Sequence, residues 1–123
     1  MAKKHVLIVD DSDVIRRVTR SMLWALQFDA SEVESGHAAI ARCGETMPDV
    51  ILLDWCMPTL SGLESLRSLR RLPGGAAPVV IYCTTENDAD DFERARQAGA
   101  NGVIVKPFDR EALRCKLVEV GLI

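Results

Sequence analysis

What the sequence lacks narrows the choices first. No apolar run approaches the ~18 residues that a membrane span needs, so the expectation is a protein with no membrane partner. There is no surplus of positive charge: 15 Lys+Arg stand against 18 Asp+Glu, a net charge of -3. That balance removes the electrostatic reason to expect nucleic-acid binding. The four cysteines, Cys43, Cys56, Cys83 and Cys115, form no CxxC pair, and neither histidine, His5 or His37, lies near them in metal-ligand spacing. Zinc is therefore not expected, and the thiols read as reduced and mostly buried. Low-complexity segments, tandem repeats and a second domain are absent as well. The basic start at Lys3 and Lys4, followed by apolar residues 6–9, resembles the opening of a signal peptide. Asp10 and Asp11 end the apolar run far too early for one, and a cytoplasmic protein is expected.

What is present is an ordinary globular balance, 48% hydrophobic and 27% charged over 123 residues, enough for one domain with a real core. Strand and helix signals alternate along it. Residues 6–9, 50–53, 79–83 and 102–105 are short apolar runs of the kind that fill a parallel sheet, and residues 30–33 read as a second, weaker strand. Between them lie helical periodicities. Val14, Ile15, Val18, Met22, Leu23 and Leu26 mark the first helix, with Arg16, Arg17 and Arg20 on its wet side and Ser12 or Asp11 as its cap. A short second helix runs from 36 to 42 and is ended by Gly44. Leu63, Leu66, Leu69 and Leu72 mark the third, with Arg67, Arg70 and Arg71 outside. Asn87 caps the fourth and Gly99 closes it. Asp109 caps the fifth, with Leu113, Leu117 and Val120 inward. The loop at 55–62 carries Pro58, Ser61 and Gly62. Five βα units predict an α/β fold, a doubly wound parallel five-stranded sheet with helices on both faces.

In such a sheet, ligands bind outside the carboxyl ends of the strands. The first strand ends in Asp10-Asp11, the third in Asp54, the fourth in Thr84 and the fifth in Lys106. Three carboxylates crowded to about 4 Å would repel by roughly 4 kcal/mol per pair at an effective dielectric near 20. One lysine cannot offset that, whereas a divalent cation can. Hard oxygen donors suit Mg2+ or Mn2+. Acids that hold a cation, beside a lysine and a hydroxyl, form a set suited to handling phosphoryl groups. Asp54, alone at the middle of the edge, is the best candidate nucleophile.

The stretches "VLIVDDS", "ILLDWCMPTLSG", "CTTE" and "GVIVKPF" resemble the receiver domains of two-component response regulators, nearest to small single-domain receivers of the chemotaxis-regulator type with the flavodoxin-like fold. The resemblance covers the whole chain. It implies that Asp54 is the phosphoacceptor. Asp10, Asp11, Asp54 and the backbone carbonyl of Cys56 would hold Mg2+, with Asp11 the more direct ligand of the acidic pair. Thr84 and Lys106 would bind the phosphoryl group, and Lys106-Pro107 would be a cis peptide. One departure stands out: the family's aromatic switch residue, three before the lysine, is Val103 here. The only tyrosine is Tyr82, two before Thr84.

The resemblance also implies partners. A histidine kinase or histidine phosphotransfer protein would dock near residues 12–16 of the first helix. An unidentified output protein would meet the fourth helix, fifth strand and fifth helix, where Asp90, Asp91, Arg94 and Arg96 lie. The expected function is that of a stand-alone, monomeric response regulator with no output domain. A phosphorelay intermediate, a phosphate sink and a pseudo-receiver are the alternatives within the family. An aspartate-nucleophile phosphatase would need an acid where Cys56 stands. A flavin binder would need a phosphate loop where Asp10-Asp11 would repel phosphate.

Overall fold

The computed structural model describes residues 3–57, 60–85 and 88–123. The elements run β1 (His5–Val9), α1 (Asp13–Ala25), β2 (Asp29–Val33), α2 (Gly36–Glu45), β3 (Val50–Asp54), α3 (Gly62–Arg71), β4 (Val79–Thr84), α4 (Ala89–Ala98), β5 (Gly102–Val105) and α5 (Arg110–Glu119). All strand pairs are parallel, in the order β2-β1-β3-β4-β5. This is the flavodoxin-like arrangement. Its chain order reverses between β1 and β3, which is where such sheets open a crevice.

The strands' composition follows their position. β1 and β3 lie inside the sheet and are covered on both faces; Val6, Val50, Ile51 and Leu53 are fully buried. Interior parallel strands read as unbroken apolar runs for that reason. β2 lies at the edge and carries Asp29, Ser31 and Glu32 in five residues, polarity that an interior strand would not tolerate. Alternate residues serve opposite faces. Leu7, Val9, Ile51 and Leu53 join Ala39, Leu66, Leu69 and Ala95 of α2, α3 and α4. Val6, Ile8, Val50 and Leu52 join Leu23, Leu113 and Leu117 of α1 and α5.

Helix starts obey local chemistry. Ser12, Ser35, Ser61 and Asp109 each accept from a backbone N–H three residues on, satisfying donors that a helix start leaves open. Two expected boundaries are revised. The cap of α4 is Asp88, which accepts from the Asp90 N–H; Asn87, and Pro58 in the earlier loop, fall outside the described residues. Gly44 does not end α2. The helix runs on to Glu45 and closes at Thr46, since one glycine costs only about 1 kcal/mol in a helix. Gly99 does close α4, with φ +116°, a conformation suited to glycine.

Three side-chain expectations fail where periodicity says nothing about neighbours. Val14, Ile15 and Val18 are exposed, at 63%, 40% and 47%, while Thr19 and Leu23 face the core. Cys43 and Cys83 are buried, but Cys56 and Cys115 are exposed. Arg70 is not on a wet face. Its guanidinium donates twice to the Gly99 carbonyl, at 3.0 and 2.6 Å, and to the carbonyls of Gly75 and Pro78, at 2.9 and 2.8 Å. It also donates to Asn101 Oδ1 at 2.9 Å, and the same oxygen accepts from the Val80 N–H. One planar fork thus ties the 73–78 turn to the α4–β5 turn. Arg70→Ala should lower the unfolding free energy by about 2–4 kcal/mol in urea denaturation. Arg70→Lys should recover little of it, because an ammonium lacks the fork.

Candidate functional site

The strand ends converge as the sheet topology requires. Asp54 is the last residue of β3 and Thr84 the last of β4. Asp10 follows β1 directly, and Lys106 follows β5. Asp10, Asp54 and Thr84 are 4%, 5% and 0% exposed, whereas Asp11 is exposed. Carboxylate oxygens from Asp10, Asp11 and Asp54 lie within 4.8 Å of one another. The Lys106 ammonium bridges two of the three, with Nζ 2.5 Å from Asp10 Oδ2 and 3.0 Å from Asp54 Oδ1. Three carboxylates against one ammonium carry a formal excess of two negative charges at one small site. A divalent cation matches that excess, and the oxygen-only donors match Mg2+.

Backbone contacts hold the frame. The Lys106 N–H donates to the Thr84 carbonyl at 2.7 Å, and the Trp55 N–H donates to the Cys83 carbonyl at 2.9 Å. The Ser12 N–H donates to Asp10 Oδ1 at 2.9 Å, orienting that carboxylate. The Lys106-Pro107 peptide is cis. Past Asp54 the chain returns tightly: the Gly62 N–H donates to the Trp55 carbonyl at 3.1 Å. A Cβ on Gly62 would stand 2.5 Å from the Asp54 carbonyl oxygen and 2.7 Å from Trp55 Cα. Glycine is required there by close approach, since any side chain would push α3 away from the site.

Arg16 is a participant that periodicity assigned to solvent. It is half-buried and donates to the Asp10 carbonyl oxygen at 2.5 Å and to Glu32 at 3.3 Å, and it pairs with Asp13. It staples the turn after β1 to the edge strand. The only sequence signal for it was the Asp13–Arg16 spacing, one helical turn.

Burial sets the electrostatics. It pushes the Asp54 carboxyl above the ordinary carboxylate range; Lys106 opposes this, and the charges of Asp10 and Asp11 reinforce it. For Lys106, burial works against the ammonium, but its hydrogen bonds to Asp10 and Asp54 outweigh that and hold the pKa above its ordinary value. Lysine therefore stays charged across the physiological range, and its charge opposes the effect of burial on the Asp54 carboxyl.

Val103 pairs in register with Tyr82 on the neighbouring strand, so the single tyrosine sits one strand over from the position where the family resemblance expects an aromatic. Tyr82 is 4% exposed. With Trp55, Cys56, Met57, Ser61, Leu63, Thr84 and Asp91 it lines a cavity of about 310 Å³. Burial, then the charge of Asp91, pushes its phenol up to about 12, against about 10 for a free tyrosine. The fold thus favours the neutral phenol, and the stability this supplies is present below pH ~10 and lost as pH rises towards about 12. Ultraviolet titration of the one tyrosine should show ionisation near 12, shifted downward in Asp91→Asn. Ionisation at the ordinary value would contradict the packing described for the ring.

Comparison with known proteins agrees with this arrangement. The family model described as "Response regulator receiver domain" matches residues 6–118. The chemotaxis protein CheY of Halobacterium salinarum is 32% identical over 117 residues, 95% of this chain and 96% of the relative. CheY of Pseudomonas aeruginosa is 33% identical over 116 residues, 94% of each chain. Among solved structures, CheY4 of Vibrio cholerae, crystallised at low pH, superposes with a TM-score of 0.91 at 30% identity, covering 97% of this chain and 99% of that one. The receiver domain of a sensor histidine kinase from Pseudomonas aeruginosa, described with magnesium coordinated in its active-site cleft, gives a TM-score of 0.87 at 30% identity, covering 98% and 99%. The superposition of the whole fold, a polar group at each inner strand end and these similarities lead to one assignment: the chain belongs to the response regulator receiver domain family.

Proposed function

We propose that this chain accepts a phosphoryl group on Asp54 from a phosphohistidine of a histidine kinase or phosphotransfer protein, and signals through a contact that the phosphorylation alters. The observation that carries the reading is the Lys106 ammonium bridging Asp10 and Asp54 inside a triad of carboxylates. In the reaction, an Asp54 oxygen attacks phosphorus, the P–N bond to the donor imidazole breaks with its electrons going to nitrogen, and an acyl phosphate forms. Asp10, Asp11, Asp54 and the Cys56 carbonyl would hold Mg2+, or Mn2+ in its place. Bound there, the ion would neutralise charge on the phosphoryl oxygens. Lys106 would follow the charge as it moves from the carboxylate onto the new phosphoryl group, and the Thr84 hydroxyl would donate to it.

The donor's docking surface lies beside the site. The exposed Val14, Ile15 and Val18 form an apolar stripe on α1, and Ile15, Val18, Met22, Pro107 and Phe108 line a cavity of about 390 Å³ next to Lys106. A stripe of this kind suits an apolar helix face presenting its histidine to Asp54. The output contact is assigned to α4, β5 and α5, where Asp90, Arg94 and Arg96 are exposed, in a chain acting as a cytoplasmic monomer.

Incubation with a small acyl phosphate and Mg2+ should add one phosphoryl mass, mapped to Asp54, and chelation should prevent it. Asp11→Ala should weaken Mg2+ binding about tenfold or more, read by Trp55 fluorescence, because Asp11 is the exposed carboxylate of the three. Labelling at a residue other than Asp54 would refute the assignment.

A further inference from the structure

At the far end of the sheet from Asp54 lies a groove of about 600 Å³, lined by His5, Arg17, Arg20, Ser21, Trp24, Phe28, Asp29 and Ala30. His5 and Asp29 are the first residues of β1 and β2, so the groove sits about 13 Å along the strands from the acidic edge. No step of the proposed phosphoryl transfer uses it. We propose that it is a binding site for a nucleoside phosphate.

Its volume suits a ligand of that size. The lining supplies the two kinds of contact such a ligand needs. Trp24 is 66% exposed, a large indole left in water on a helix whose core positions are taken by Thr19 and Leu23. Lys3 Nζ stands 4.3 Å from its ring centroid, which brings a cation to the aromatic surface. Arg17, Arg20 and Trp24 are spaced three and four residues apart and share one face of α1. Arg20 is held by Glu32 at 3.1 Å, which fixes its position. Arg17 has neither a hydrogen bond nor an ion pair among the described residues. Arg17 and Arg20 thus line one groove, with Lys3 over the Trp24 ring, in a chain whose net charge is -3.

The combination selects the ligand class. Guanidinium forks match phosphate oxygens. An exposed indole matches the face of a base. Asp29, at the groove's other element, offers an acceptor for sugar hydroxyls, and Ser21 a hydroxyl. A purely apolar ligand would leave the arginines unused, and a bare phosphate would leave Trp24 unused.

The test is calorimetric titration of the full chain with adenosine triphosphate, adenosine and inorganic triphosphate, in EDTA. Without divalent cation the carboxylate site repels all the anionic probes, so the result is independent of whether Asp54 is the phosphoacceptor. The nucleotide should bind, and the two fragments should each bind at least about tenfold more weakly. Trp24→Ala and Arg17→Ala, both at exposed positions, should each weaken nucleotide binding about tenfold or more with unchanged thermal unfolding. Absence of nucleotide binding at millimolar concentration, equal binding of inorganic triphosphate, or unchanged binding in both variants would overturn the proposal.

Discussion

Asp54→Ala should abolish acyl-phosphate labelling while leaving the fold intact. Asp10 and Asp11 are also carboxylates at this edge, so the specificity of the loss needs a reason. Asp10 is committed twice: one oxygen accepts from the Ser12 N–H, and the other from Lys106. Asp11 is exposed and no lysine bridges it. Asp54 combines burial, a single ammonium contact and a position at the centre of the strand edge. The variant should also fold at least as stably as the parent in the absence of metal. Asp54's pKa is raised in the folded chain. Such a group costs stability as pH rises through its folded value, because the fold disfavours the charge. Removing it relieves that cost and leaves Lys106 paired with Asp10. Mass spectrometry after acyl-phosphate treatment, with a urea melt in EDTA, checks both halves. Residual label on Asp10 or Asp11 would show that the three acids share the role.

Lys106→Met should have the opposite effect on stability. The methionine keeps much of the stem and removes the charge. Asp10 and Asp54, both at or below 5% exposed, are then left in proximity with no counter-charge. Breaking a buried pair by removing one partner costs about 3–5 kcal/mol. Without the ammonium, Asp54 loses the influence that opposed its burial, so its pKa rises further. The destabilisation should therefore be small at acid pH, where a proton can stand in for the lysine. It should grow as pH rises towards neutrality and Asp54 is forced to ionise beside Asp10. Mg2+ should restore part of the lost stability by mass action on the folded state, and a melt series over pH, with and without Mg2+, reads both trends. A loss that did not vary with pH would mean that the lysine contributes through packing alone.

These two variants probe a site whose chemical parts are legible along the chain. A buried strand is apolar because its neighbours exclude water. A polar residue that interrupts it must therefore sit where the sheet ends, and Asp10, Asp54, Thr84 and Lys106 all do. Caps are legible for the same local reason: Ser12 and Asp109 satisfy backbone donors within their own turn. Gly44 misled because a glycine's effect depends on whether the helix is continued by packing on either side of it, and that is not a local property.

Sequence alone determined the alternation of strand and helix, the doubly wound class and the collection of acids, hydroxyl and lysine at one edge, since each follows from period, burial and the carboxyl-end rule. Tertiary structure decided which partners the long side chains found. Arg16 and Arg70 sit on helical positions that read as solvent-facing, yet Arg16 reaches the Asp10 carbonyl and Glu32 on the edge strand, and Arg70 reaches the carbonyls of Pro78 and Gly99 in two separate turns. It also decided that Lys106 bridges Asp10 and Asp54, that Tyr82 lies beside Val103, and that the apolar stripe of α1 faces out. Periodicity reports the direction in which a side chain leaves its own element. What waits there is set by elements tens of residues away, and only the folded chain brings them into range.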